Sequence, residues 1–159
     1  MVEKFGIGQP VRRKEDVRLL TGRGTYTDDI DRPGQAHAFV LRSPHAHARI
    51  LSIGTEAARA APGVLAVLTG HDAEADGIGR FPVMVEVPGK DGEKLWPTPR
   101  EVLQTAKVRF VGDPVALVVA ETRQRAQDAA ELVEVGYEVL PSVTDTAAAD
   151  LPGAPLVWD

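Results

Sequence analysis

Six consecutive apolar residues, Val115-Ala-Leu-Val-Val-Ala120, lie between Gly112-Asp113-Pro114 and Thr122. A run of this length, bounded by turn residues, suits a central strand buried on both faces, and such a strand needs neighbours on its edges and layers over it. The next segment supplies one layer. Thr122 is a helix N-cap, and Ala126, Ala129, Ala130 and Val133 form one apolar stripe at helical spacing, small enough to bring a helix close to a sheet. A closing strand is predicted with Val133, Val135, Tyr137 and Val139 on one side and Glu134 and Glu138 on the other, ended by Pro141.

The same reading upstream predicts a strand over Ala36–Arg42 closed by Ser43-Pro44, and a second over Ala48–Ile53. Thr55 then caps the short helix "EAARAA", which Pro62-Gly63 stops before the strand "VLAVL", giving a compact βαβ-like unit. In "KVRFV", Val108 and Phe110 alternate with Lys107 and Arg109, as on a half-buried strand. From Gly70 to Thr105 glycines and prolines interrupt the pattern, which predicts a long loop with at most one short strand, "PVMVEV". Residues 1–34 read as a polar, solvated or partner-facing arm, with Arg12, Arg13, Lys14, Arg18 and Arg23 interrupted by Glu15 and Asp16, followed by a Pro33-Gly34 corner.

Composition narrows the chemistry. At 159 residues with 43% hydrophobic but only 5% aromatic content, the core must be built from Ala, Val, Leu and Ile. A net charge of −5 argues against a nucleic-acid partner or an anionic membrane surface. The absence of cysteine excludes disulfides, a thiolate nucleophile, Cys-ligated zinc and an iron–sulfur cluster held by this chain alone. No apolar run is long enough for a signal peptide or a membrane span, and the expected setting is cytoplasmic.

Most tempting motifs fail on context. "GIGQPV", "GRGTYT" and "GIGRFP" lack the third glycine of a dinucleotide fingerprint, and none lies between a strand and a helix. "DIDRPG" places Asp29, Asp31 and Gly34 at calcium-loop offsets, but Pro33 and Val40 occupy other ligand positions, so a turn is expected. Ser43, Ser52 and Ser142 follow no nucleophile pattern, and Asp113 has no second acid beside it, so turn chemistry explains it. The histidines are more open. In "RSPHAHARI", His45 and His47 alternate and would share one face of a strand, as two zinc ligands do; His37, His71 and Asp72 are the only third ligands in view, and no motif links them. The other reading is a structural strand entry whose polar groups bond to backbone or to a neighbouring surface.

The order of motifs carries more than any one of them. "GQPVRRKEDVRLLTGRGTYTDDI", "PGQAHAFVLRSPHAHARI", "APGVLAVLTGHD", "VRFVGDPVALVVAETRQRAQDAAELVEVGYEVLPSV" and "GAPLVWD" together resemble the N-terminal part of the molybdenum-binding large subunit of the xanthine dehydrogenase and aldehyde oxidase family. The opening stretch is most similar to its aerobic carbon monoxide dehydrogenase branch. The resemblance implies an α/β hammerhead domain with a mixed sheet, two main helices and the long central loop. It implies an arm at 1–34, the hammerhead at 35–146 and a linker at 147–159 toward a molybdopterin-binding domain of the same subunit. It also implies a parent oxidoreductase that hydroxylates aldehydes or N-heterocycles, or oxidises carbon monoxide, at molybdenum held by molybdopterin, with [2Fe-2S] clusters and FAD on partner subunits. No catalytic, cofactor-binding or metal residue is carried onto this chain, and "RSPHAHARI" becomes structural. Arg42, Ser43, His45, His47, Arg49, Gly112, Asp113 and Trp158 are then the candidate domain-interface residues, with Trp158 expected to be solvent-exposed on a tail that has left the sheet. The alternatives are a free-standing small-ligand-binding protein that uses the 70–105 loop and, more distantly, a His-based metal hydrolase.

Overall fold

The computed structural model describes residues 12–82, 89, 92 and 98–158, and the chain divides into two compact units, Met1–Gln35 and Ala36–Asp159.

In the first unit the mixed-charge stretch is ordered locally. The Asp16 carboxylate accepts hydrogen bonds from Arg13 N (3.1 Å) and Arg13 Nε (2.8 Å) and opens helix α1, Asp16–Leu20. Gly22, at φ 71°, ends it: Gly22 N donates to Leu19 O and Arg23 N to Arg18 O, a pattern that needs the left-handed region. A 3-10 turn at Thr27–Asp29 follows, and the corner is made as expected, with Gly34 at φ 75°.

The second unit holds β1 (His37–Arg42), β2 (Ala48–Gly54), α2 (Glu56–Arg59), β3 (Val64–Thr69), α3 (Gly70–Ala75), β4 (Lys107–Val108), β5 (Pro114–Ala120), α4 (Arg123–Ala130) and β6 (Glu134–Val139). The apolar run is the middle strand of the first sheet, ordered β1-β5-β3, and the second sheet is ordered β4-β2-β6. Every pairing is antiparallel. The expected single mixed sheet is therefore two antiparallel ones, and β2 and β3 do not form a βαβ unit. The connection from Thr55 to Gly63 is shorter than the dozen or so residues that a crossover between parallel neighbours requires.

α4 covers the first sheet as its alanine stripe predicts: Ala129 and Ala130 join Ala58, Val67, Val118 and Val133 in the main core. Thr122 caps it by accepting from Arg125 N at 3.2 Å. A second core gathers Ala48, Val108 and Val115, and Ile53 and Val135 pack against both cores.

Three local expectations change. The segment after β3 does not begin as loop: Asp72 Oδ2 accepts from both N and Oγ1 of Thr69, each at 2.7 Å, and starts α3 at once. Gly70 is required there, because a Cβ would lie 2.5 Å from Thr105 Cγ2 and 2.6 Å from Leu103 O. The strand "KVRFV" stops at Val108, since Arg109 N donates to the Asp113 carboxylate instead of to a ladder, and Phe110 and Val111 are exposed. Val139, expected on the inner side of β6, is also exposed. The expected strand "PVMVEV" lies, apart from Pro82, outside the described residues. Among the described residues no helix is long and apolar enough to cross a membrane.

Candidate functional site

The polar residues of the second unit converge where the β1–β2 connection meets the turn before β5. Ser43 N donates to Asp113 O (2.9 Å), Gly112 N donates to Ser43 O (2.8 Å), and Arg42 Nη1 reaches Gly112 O (2.8 Å). Gly112 takes φ 94°, which permits the turn. The Ser43 hydroxyl accepts from His45 N at 3.0 Å and donates to His45 O at 3.2 Å, and the His45 ring meets Tyr137 edge-on at 4.9 Å. Burial raises the Tyr137 pKa, as does the charge of Asp113.

Asp113 lies beneath this junction, 2% exposed. Burial raises its carboxyl pKa, opposed by the Arg109 N–H, the Arg109 guanidinium and the Gln104 side chain. Arg109 in turn donates from Nη1 to Gln104 Oε1 and Lys107 O, each at 3.3 Å, and lays its guanidinium over the Trp158 ring at 4.2 Å. Thr98, Arg100, Gln104, Arg109, Phe110, Asp113 and Trp158 line a cleft of about 150 Å³ above it.

Of the sequence-predicted residues, Arg42, Ser43, His45, Gly112 and Asp113 meet at this junction, and Trp158 lies across its neighbour Arg109. Trp158 is half-buried rather than solvent-exposed, because Arg109 offers its guanidinium as a stacking surface. His47 points elsewhere: its Nδ1 donates to Pro141 O at 2.8 Å, and its Nε2 is buried without a partner. Arg49 pairs with Glu138 at 2.9 Å on the surface. His45 and His47 lie in the connection before β2, so the shared strand face does not arise, and among the described residues no three His, Cys, Asp or Glu form a group able to hold a metal ion. Sequence reasoning missed Gln104, Arg109 and Tyr137. Arg109 had a signal, four residues before an aspartate in a Gly-Asp-Pro turn; Gln104 had none.

The described cavities do not fit a pterin cofactor, an anionic group of phosphate and metal dithiolene that needs about 300 Å³ or more and converging donors. The groove of about 300 Å³ bounded by Gly70, Ile78 and Leu103 carries Glu74 and Glu101, with Arg80 already paired to Glu101 at 3.2 Å. A recess of about 390 Å³ along Ser52–Gly54 is flanked by Glu134. The cleft with two arginines is too small.

Comparison with known proteins places this fold. Residues 21–141 match the model of the aldehyde oxidase and xanthine dehydrogenase a/b hammerhead domain. The chain is 43% identical over 152 residues to the carbon monoxide dehydrogenase large chain of Afipia carboxidovorans, covering 96% of this chain and 17% of that protein. It is 45% identical to the nicotine 6-hydroxylase large subunit of Paenarthrobacter nicotinovorans, covering 87% of this chain and 16% of that one. The quinoline 2-oxidoreductase structure from Pseudomonas putida superposes with a TM-score of 0.75 at 44% identity, over 92% of this chain and 18% of the other. The chain thus spans about a sixth of the length of these relatives. With two antiparallel sheets, a helix laid over the first of them and a sequence match across 21–141, the chain belongs to the aldehyde oxidase and xanthine dehydrogenase a/b hammerhead domain family.

Proposed function

We propose that this chain is the hammerhead portion of the large subunit of a molybdopterin-dependent oxidoreductase, of the hydroxylase or carbon monoxide dehydrogenase type, and that its own task is assembly rather than catalysis. The observation that carries this reading is the Asp113 junction, whose polar groups bond mainly to one another: Asp113 to Arg109 N, Ser43 to His45 and the Asp113 carbonyl, and Arg109 Nη1 to Gln104, with the guanidinium over Trp158; only Arg109 Nε is buried there without a partner among the described residues. A site of this kind fixes a backbone and offers little to a substrate.

In this reading residues 1–34 are an arm, 35–146 the body and 147–159 a link to the molybdopterin-binding domain of the same subunit. Arg42, Ser43, His45, His47, Arg49, Gly112, Asp113 and Trp158 stiffen or border the packing surface. The parent reaction takes place at molybdenum held by the pterin outside this chain, and FAD and [2Fe-2S] clusters on partner subunits carry the electrons. The setting is cytoplasmic, with no nucleic acid and no membrane span. The test is to purify the chain from a host that makes molybdopterin: no stoichiometric molybdenum and no oxidase activity are expected, and one molybdenum per chain overturns the reading.

A second reading, a free-standing small-ligand-binding protein, is favoured only by the groove of about 300 Å³ within the 70–105 segment. Coding sequence for a cofactor domain in the same reading frame would decide against it.

A further inference from the structure

The two faces of the first sheet differ. Toward α2 and α4 it presents Phe39, Val67 and Val118, closed over by Ala58, Ala129 and Ala130. On the opposite face the register sets two cross-strand rows, Val40–Leu117–Leu68 and Ala38–Val119–Ala66. All six are apolar, whereas an antiparallel sheet with one face in water ordinarily carries polar residues there. Among the described residues none of the six joins either hydrophobic core. Ala38 is exposed and Leu68 is 37% exposed, while Val40, Ala66, Leu117 and Val119 are half-buried. The face cannot be hidden by a shift of register, because moving β5 by one residue would pull Val118 out of the main core.

We infer that this face is a docking surface for polypeptide of the same large subunit lying outside these 159 residues, an inference that rests on the assembly reading above. Relatives carry this fold as 16–18% of their chains, so a subunit of that kind supplies ample partner surface. The rows contain no charged side chain although the chain carries −5 overall, a contrast that suits a permanent, core-like contact better than a transient one. A second copy is the weaker occupant. Six side chains, among them two alanines and two half-covered valines, fall short of the roughly 800 Å² per partner that two separate molecules need, a threshold that does not bind a segment tethered to this domain in one polypeptide.

The absence of native cysteine in this chain allows a direct test. Leu68→Cys, Leu117→Cys and, as a core control, Val118→Cys are labelled with a bulky maleimide both in the 159-residue chain and in the assembled large subunit, with sites read by peptide mass spectrometry. In the short chain the first two should react at least ten-fold faster than the control, and in the subunit they should slow at least ten-fold. Equal reactivity in both settings overturns the inference, as does protection in a short chain that has the mass of a dimer. If the control also reacts fast, the short chain is unfolded and the comparison moves to the subunit. There Leu117→Lys should cut the yield of soluble assembled enzyme at least ten-fold while Leu65→Lys, at an exposed position beside the register shift in β3, leaves it unchanged; equal yields overturn the inference. The assembly reading fails separately. A short chain that associates with a subunit lacking it, while the thiols of the Leu68→Cys and Leu117→Cys variants still react, refutes the face alone, and one that never associates refutes the reading.

Discussion

Arg109 donates its backbone N–H to the carboxylate of Asp113 at 2.9 Å, and this bond takes the last ladder donor away from β4 and closes the turn into β5. The carboxylate is 2% exposed, and burial raises its pKa above the ordinary value of 3.8. Folding therefore favours the neutral acid. The contribution of this group to stability is complete below the ordinary value and is lost as pH rises through the raised one. Asp113→Asn keeps an acceptor for Arg109 N and removes the titration. In urea unfolding, the stability difference between variant and parent should move in the variant's favour as pH rises from below 3.8 to neutral, and a difference constant with pH would show that the carboxyl does not titrate with folding.

Ala130 sits 1% exposed in the main core, on the sheet-facing side of α4. Ala130→Asp places an unpaired carboxylate there and should cost roughly 3 kcal/mol or more. Gln127→Asp, on the exposed side of the same helix, should stay within about 0.5 kcal/mol. Denaturant midpoints of the pair test the helix orientation.

Trp158 over Arg109 gives an optical readout. In a Trp96→Phe background, Trp158 emission should be partly shielded from a soluble quencher, and Arg109→Ala should remove the shielding. Trp158→Ala should lower stability by roughly 0.5–1 kcal/mol, the range of an exposed cation–π contact. Full quenching in the parent would mean that the tail does not rest on Arg109 in solution.

His47 donates to Pro141 O, while His45 rests edge-on against Tyr137. Replacing both by Ala should leave zinc affinity in calorimetry unchanged. His47→Ala alone should cost roughly 0.5–1.5 kcal/mol, the net worth of one hydrogen bond, because Pro141 is exposed and water can take the place of the lost donor. Micromolar zinc binding that disappears in the double variant would restore the metal reading.

The elements that read most clearly in the sequence were those whose burial is periodic: the run 115–120, the alanine stripe of α4 and the strand before Ser43-Pro44 all lie where their patterns placed them. What the pattern could not carry was pairing. The alternation in β2 and β3 is the same whether they share a sheet or not, and only the short Thr55–Gly63 connection argued otherwise. The short helices α1 and α3 were hidden because each is started by one aspartate reaching back three residues, to Arg13 and to Thr69, and not by an apolar repeat. At the junction, Asp113 and Gly112 were legible as turn chemistry, whereas Gln104 gained its role only when the segment just before β4 folded back beside β5: its N–H donates to Pro114 O at 2.8 Å.

Odd-numbered strands form one sheet and even-numbered strands the other, so among the six described strands no two consecutive ones are paired. There is no hairpin among them to serve as a local nucleus. The shortest route between partners runs from β3 to β5, and the longest, from β2 to β6, spans most of the unit. Such a chain has high contact order and must close long loops before either sheet gains anything, which predicts slow, strongly cooperative folding. On the ribosome the first sheet must wait for β5 and the second for β6. A nascent chain would hold its apolar strands unpaired through most of its synthesis, and the interval in which it is exposed to aggregation or to chaperones is set by topology more than by final stability.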